Sequence, residues 1–225
     1  ALLAPPSNDA VRSRGEAIGR SRKNMGVLAN LIGEHVPLTK GLALYHGAAA
    51  RAEHLLLRER IGADKLKVVA TDTVEPPPGL GVVKWPAGRV KREWVGAADF
   101  VYSHELITAE APLQLLGAWA RCLRPAGVIA FEWCDGGGAA DEGAAEAEGG
   151  AAAAEEEGGH AAFSLRGKKL KATLAAVEKA GYEAVAVKEA AGLPPAADGN
   201  GKERHCALVM VKPAARKEEA AAAAA

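Results

Sequence analysis

The sequence predicts an α/β fold built on a doubly wound, mostly parallel sheet of seven strands with an antiparallel last strand. Two observations carry this expectation. Short apolar runs rich in β-branched residues alternate with segments of helical period. That alternation implies parallel strands joined by crossover helices, with the sheet covered on both faces. The last two strand-like runs, 183–189 and 205–211, have no helical segment between them, so one of them runs antiparallel.

The elements follow in order. Met25–His35 reads as a helix with Leu28, Leu31 and Ile32 on one face, and Pro37 ends it. GLALY (41–45) is a short apolar strand. Arg51–Ile61 reads as a helix closed by Gly62. LKVVAT (66–71) is a β-branched strand ending at Asp72, and the three prolines of TVEPPPGLG forbid a helix in the loop after it. GVVKW (81–85) and DFVYS (99–103) are the next strands. Pro112 opens a helix, an accepted position for proline, and Leu116, Trp119 and Leu123 line one of its faces. GVIAFEW (127–133) is a buried strand. Lys168–Ala180 is a helix with Leu170, Leu174 and Val177 inward, capped by Gly181. EAVAVKE (183–189) and HCALVMV (205–211) close the set.

With 225 residues, 49% of them hydrophobic, the chain suits one domain with a sizeable core. Lys plus Arg number 28 and Asp plus Glu 28, so no global field steers the chain to nucleic acid or membrane. No apolar run is long enough to span a bilayer. Residues 1–23 form a basic lead-in, with Arg12, Arg14, Arg20, Arg22 and Lys23 against Asp9 and Glu16. It reads as a flexible extension and resembles the remnant of an organellar presequence, which gives a mitochondrial location as the expectation and a cytoplasmic one as the alternative. Residues 135–162 are almost only Ala, Gly, Asp and Glu, a low-complexity acidic insertion within the domain of residues 24–213. Residues 214–225 are an alanine-rich tail. Cys122, Cys134 and Cys206 are odd in number and two lie in apolar runs, so buried free thiols in a reducing compartment are expected. No His/Cys cluster suggests zinc or another metal.

Three stretches carry a resemblance to a known family. ADFVYSHELITAEAPLQLLGAWARCLRPAGVIAFEW (98–133) resembles the strand 4, helix, strand 5 unit of the class I S-adenosylmethionine-dependent methyltransferases of the methyltransferase type 11 kind. In it Leu123-Arg124-Pro125-Ala126-Gly127 stands for the family's Leu-Lys/Arg-Pro-Gly-Gly turn. LRGKKLKATLAAVEKAGYEAVAVKEA (165–190) and HCALVMVKP (205–213) resemble the following helix, strand 6 and closing strand. The resemblance implies a Rossmann-like sheet, S-adenosylmethionine as cofactor and methyl transfer as activity. It implies cofactor contacts at the ends of strands 1, 2 and 4, which fall on Tyr45, His46, Gly47, Ala49, Asp72 and Ser103 in this sequence.

The residues themselves argue against that cofactor. The family's turn after strand 1 carries an acid and then alternate glycines, which let the backbone touch the ligand. Here the segment is LYHGAAAR (44–51), Gly47 alone remains, and no carboxylate lies in 41–52. His46 is placed to contact a ligand, but a lone histidine in a loop is more often simply solvated. Asp72 stands where the family's ribose acid belongs, yet Asp is equally at home as a turn cap. His104 and Glu105 after the fourth strand fit proton removal, although polar side chains at a strand end more often simply face water. No catalytic residue is therefore assigned. Lys84, Arg89, Lys91 and Arg92 with Trp85 and Trp94 form a basic and aromatic cluster suited to RNA phosphates and bases, or to a solvated loop with a tryptophan packed on the sheet. The expected function is a methyltransferase-like, non-catalytic subunit of a larger assembly with protein partners, such as an organellar ribonucleoprotein. The alternative is an active methyltransferase on a small molecule, RNA or protein.

Overall fold

A computed structural model describes residues 8–36, 41–48, 53–62, 64–76, 78–103, 106, 109, 111–134, 169–190 and 205–214, with side chains from Arg22 onward. The elements run α1 (Asn8–His35), β1 (Gly41–His46), α2 (Glu53–Ile61), β2 (Leu66–Asp72), β3 (Val82–Lys84), β4 (Ala98–Ser103), α3 (Pro112–Cys122), β5 (Leu123–Cys134), α4 (Leu170–Lys179), β6 (Tyr182–Ala190) and β7 (Cys206–Pro213). The seven strands form one sheet in the order β3-β2-β1-β4-β5-β7-β6. All pairs from β3 to β5 are parallel, and β7 runs antiparallel to both β5 and β6. The doubly wound sheet with its antiparallel last strand is thus as the sequence predicts. The acidic insertion 135–162, the tail beyond Ala214 and Ala49, His104 and Glu105 lie outside the described residues.

Side chains alternate across each strand, which divides the core into two layers. On one face Ala43, Tyr45, Phe100, Tyr102, Val128 and Leu208 meet Met25, Leu28, Leu31 and Ile32 of α1 and Leu57 of α2. On the other, Leu44, Val101, Ile129, Phe131 and Val209 meet Leu116 and Trp119 of α3 and Val177 of α4. Each such aliphatic side chain, once buried, contributes about 1.5–3 kcal/mol, so the helix faces read from the sequence are the ones that hold the helices down.

Three features differ from the sequence expectation. First, α1 begins at Asn8, so most of the basic lead-in is helical. Second, α3 stops at Cys122 and β5 starts at Leu123, because Leu123 pairs with Ala98 before a bulge resets the register at Phe100 and Val128. Third, Cys134 and Cys206 are joined in a disulfide, and only Cys122 is a free, buried thiol. The expectation of three free thiols fails because β5 and β7 are neighbours and their register sets Cys134 directly opposite Cys206. The antiparallel order places the two residues side by side, although 72 positions separate them in the chain.

The turn into β5 shows what glycine does here. Ala126 holds φ at 66°, the one non-glycine among the described residues with positive φ. At Gly127 an added Cβ would lie 3.0 Å from the carbonyl oxygens of Ala98 and Arg124, both backbone atoms that cannot step aside. Beside the turn, Asp99 accepts the Leu42 amide at 2.6 Å and pairs with the Arg124 guanidinium, tying the turn to the start of β1. Left-handed backbone costs an L-residue about 1–2 kcal/mol, and the added freedom of glycine in the unfolded chain takes back about 0.4–1 kcal/mol. Ala126→Gly should therefore raise stability by about 0.5–1 kcal/mol, read as a higher urea midpoint, whereas Gly127→Ala should lower it.

Candidate functional site

In a doubly wound sheet, ligands bind beyond the carboxyl ends of the strands, where the strand order reverses. Here that point is the end of β1, between β2 and β4. The register sets His46 opposite Thr71 on β2 and opposite Ser103 on β4, with Asp72 one residue further along. Four of the candidate residues, His46, Gly47, Asp72 and Ser103, thus share one edge. Tyr45 does not face it in the same way. Strand alternation turns its ring into the α1/α2 layer, where its hydroxyl donates to Glu53 Oε2 at 2.7 Å and its ring lies 4.9 Å from that of Tyr102.

His46 is not a solvated loop residue. It is 2% exposed because β1 runs one residue past Tyr45 and takes His46 into the sheet. Its Nδ1 lies 2.5 Å from Thr71 Oγ1, and its ring stacks on Trp119 with centroids 5.6 Å apart and planes 15° apart. Burial lowers its pKa from 6.5 to about 4, so the imidazole is neutral at pH 7. Trp119 is itself fixed, since its Nε1–H donates to the Ala87 carbonyl at 3.0 Å.

The turn after β1 is tied to the sheet. Gly47 keeps positive φ, 81°, and the amides of Gly47 and Ala48 both donate to the Thr71 carbonyl, at 2.9 and 3.1 Å. Asp72 is buried, and its Oδ1 accepts the Val74 amide at 3.0 Å, the bond of an Asx turn. Ser103 is fully buried. Nearby, His54 Nε2–H donates to the Leu80 carbonyl at 3.0 Å, and burial lowers its pKa against that bond.

A second polar group was missed by the sequence reading. Glu132 on β5 is buried, and its Oε1 accepts the Asn24 side-chain amide at 2.9 Å and the Tyr102 hydroxyl at 3.2 Å. With Tyr45 and Glu53 it makes a chain of buried polar side chains under α1 and α2. Burial and the Glu132 charge push the Tyr102 phenol well above its usual range. The available signal was a glutamate inside the apolar run VIAFEWC, since an acid is rarely buried without partners.

The basic and aromatic cluster is largely self-occupied. Trp94 is buried, and Lys91 Nζ sits 4.7 Å from the Trp85 ring and 4.9 Å from the Trp94 ring. Lys84 pairs with Glu75 at 3.4 Å. Arg89 and Arg92 remain exposed. Among the described residues no cluster of three or more His, Cys, Asp or Glu side chains could hold a metal ion, and no helix is long and apolar enough to cross a membrane.

No family model and no curated protein matches the chain. Solved structures do. A 1,6-didemethyltoxoflavin-N1-methyltransferase from Burkholderia thailandensis, bound to 1,6-didemethyltoxoflavin and S-adenosylhomocysteine, matches with TM-score 0.56 and 16% identity over 95% of this chain and 94% of its own. A SAM-dependent methyltransferase from Aquifex aeolicus matches with TM-score 0.53 and 15% identity, covering 89% of this chain and 97% of its own. A putative methyltransferase in complex with the Trm112 methyltransferase activator, from Haloferax volcanii, gives TM-score 0.56 and 12% identity over 92% and 96%. With the strand order and the antiparallel β7, these likenesses establish that the chain has the class I S-adenosylmethionine-dependent methyltransferase fold.

Proposed function

We propose that this protein is a methyltransferase-fold subunit that transfers no methyl group and serves by binding protein partners within a larger assembly. The observation that carries this reading is the end of β1. S-adenosylmethionine, the cofactor the fold implies, needs backbone amides and a carboxylate free to receive it. Here the Gly47 and Ala48 amides both donate to Thr71, and Asp72 caps Val74. His46 fills the strand end against Trp119, and no carboxylate lies in 41–52. The residues present fit the cofactor poorly, and the same residues make a well-packed strand end.

A partner-binding role is in keeping with the Haloferax volcanii neighbour, which is a complex with an activator protein. An organellar, RNA-containing assembly is the form this reading takes, on the strength of the basic residues before Asn24 and the exposed Arg89 and Arg92. Purification from the native source with and without nuclease tests it, and migration as a free monomer in both would count against it. Two features favour the alternative of an active methyltransferase: Gly47 keeps its left-handed backbone, and Asp72 keeps its place at the end of β2.

A thermal-shift titration with S-adenosylmethionine and S-adenosylhomocysteine decides between the two. A ligand at one hundred times its dissociation constant adds roughly 2.7 kcal/mol of stability. The expected result is no shift with either compound. A clear shift, with low-micromolar binding by calorimetry, would overturn the proposal.

A further inference from the structure

The Cys134–Cys206 disulfide occupies a place that the fold does not need it to hold. Residues Ile129–Cys134 of β5 already pair with Cys206–Val211 of β7 in continuous antiparallel register, and β6 pairs with the far side of β7. The link therefore joins two strands that backbone hydrogen bonds already join. It sits at the last residue of β5 and the first of β7, on the same edge of the sheet as His46 and Asp72. The two sulfurs differ in access. Cys134 is half-buried, whereas Cys206 is 3% exposed, lying between β5 and Ala190 at the end of β6. The third cysteine, Cys122, is buried in the α3 layer, and burial pushes its thiol up to about 11, so it takes no part in exchange.

We propose that Cys134–Cys206 is a reversible thiol–disulfide exchange site for a low-molecular-mass thiol of the glutathione class, with Cys134 as the sulfur attacked. The incoming thiolate bonds to Cys134 Sγ, the bond between the two cysteines breaks, and Cys206 leaves as a thiolate that takes a proton. A second glutathione thiolate then attacks the glutathione sulfur of the mixed disulfide and releases Cys134 as its thiolate. Two glutathione molecules are oxidised to one disulfide, and the protein gains two electrons and two protons. Oxidation by glutathione disulfide runs the same steps in reverse. Because the β5–β7 ladder persists, both forms keep the sheet.

The test uses the full chain in glutathione buffers of graded ratio, without denaturant. Samples are quenched by acid, then alkylated in denaturant and weighed intact. Oxidised glutathione should leave one alkylatable cysteine, Cys122, and reduced glutathione should expose all three, with the far-ultraviolet dichroism unchanged. Cys206→Ser should trap a stable glutathione adduct, mapped to Cys134 by peptide mass. Cys134→Ser should lose most of that adduct in the native state, because Cys206 is buried. A pair that opens only in denaturant would overturn the proposal, as would a pair that stays reduced under excess oxidised glutathione. An adduct formed preferentially on Cys206 would do the same. Should either serine variant misfold, alkylation of the native reduced wild type gives the same discrimination. Cys134 must react faster than Cys206, and equal or inverted rates would sink the idea.

Discussion

Trp119→Ala is expected to lower folding stability by about 3–5 kcal/mol, the range for removing a large buried aromatic from a core. Trp119 is fully buried between α3 and the sheet, and three separate losses add at this position. A cavity opens where the indole packs. The Ala87 carbonyl loses the Nε1–H donor that holds the loop after β3 against α3. The His46 ring loses its stacking partner. Trp119→Phe separates these effects, since it keeps a ring but removes the donor, and should cost about half as much. A urea titration reads both. The midpoint should fall in the order wild type, Phe, Ala, with the slope constant if the native fold is kept. An alanine variant within about 1 kcal/mol of wild type would show that the end of β1 is not packed as described.

The strands were legible because each is a short apolar run bounded by turn residues, and because no run of helical period separates 183–189 from 205–211 in the sequence, which implies one antiparallel strand. The helix faces were legible for the same reason: Leu28, Leu31 and Ile32 repeat at helical spacing and all are buried. What escaped depends on which strands become neighbours. Cys134 and Cys206 meet only because β7 lies beside β5 in one register. Asn24 meets Glu132 only because α1 packs on the sheet beside β5, over β6 and β7, and they stand 108 residues apart in the chain. His46 looked like a loop residue because strand ends are not marked in the sequence. One extra residue of pairing with Thr71 and Ser103 turned it into a core group. Asp72 was legible as a position but not as a role. Its bond to the Val74 amide is the turn-cap behaviour that aspartate shows wherever a strand ends. Ala126 carries a related lesson. It holds positive φ where the family resemblance has glycine, so the backbone of that turn keeps a conformation that glycine adopts more easily. Ala48 needs no such conformation, and its methyl is buried in the layer under α1 and α2.

His46 also sets an expected dependence of stability on pH. In the unfolded chain it titrates near 6.5, and in the folded protein burial holds it at about 4. Between those values the unfolded state binds the proton that the folded state refuses, so stability rises with pH across the window. The contribution is present in full above 6.5 and is lost as the pH falls from there through about 4. The gap between those two values corresponds to about 3 kcal/mol. His54, also lowered by burial, adds in the same direction. His46→Gln isolates the effect, because glutamine keeps a hydrogen-bonding group near Thr71 and cannot be charged. The stability difference between wild type and variant should grow by about 3 kcal/mol from pH 4 to pH 7, and the variant's own profile should be flatter. The two predictions are coupled. Trp119→Ala admits water beside the imidazole, so the His46 midpoint, followed by the chemical shift of its ring proton, should climb back towards 6.5. A midpoint unmoved by the loss of Trp119 would mean that the indole is not what keeps water from His46, and the low midpoint would then rest on the rest of its burial in the sheet.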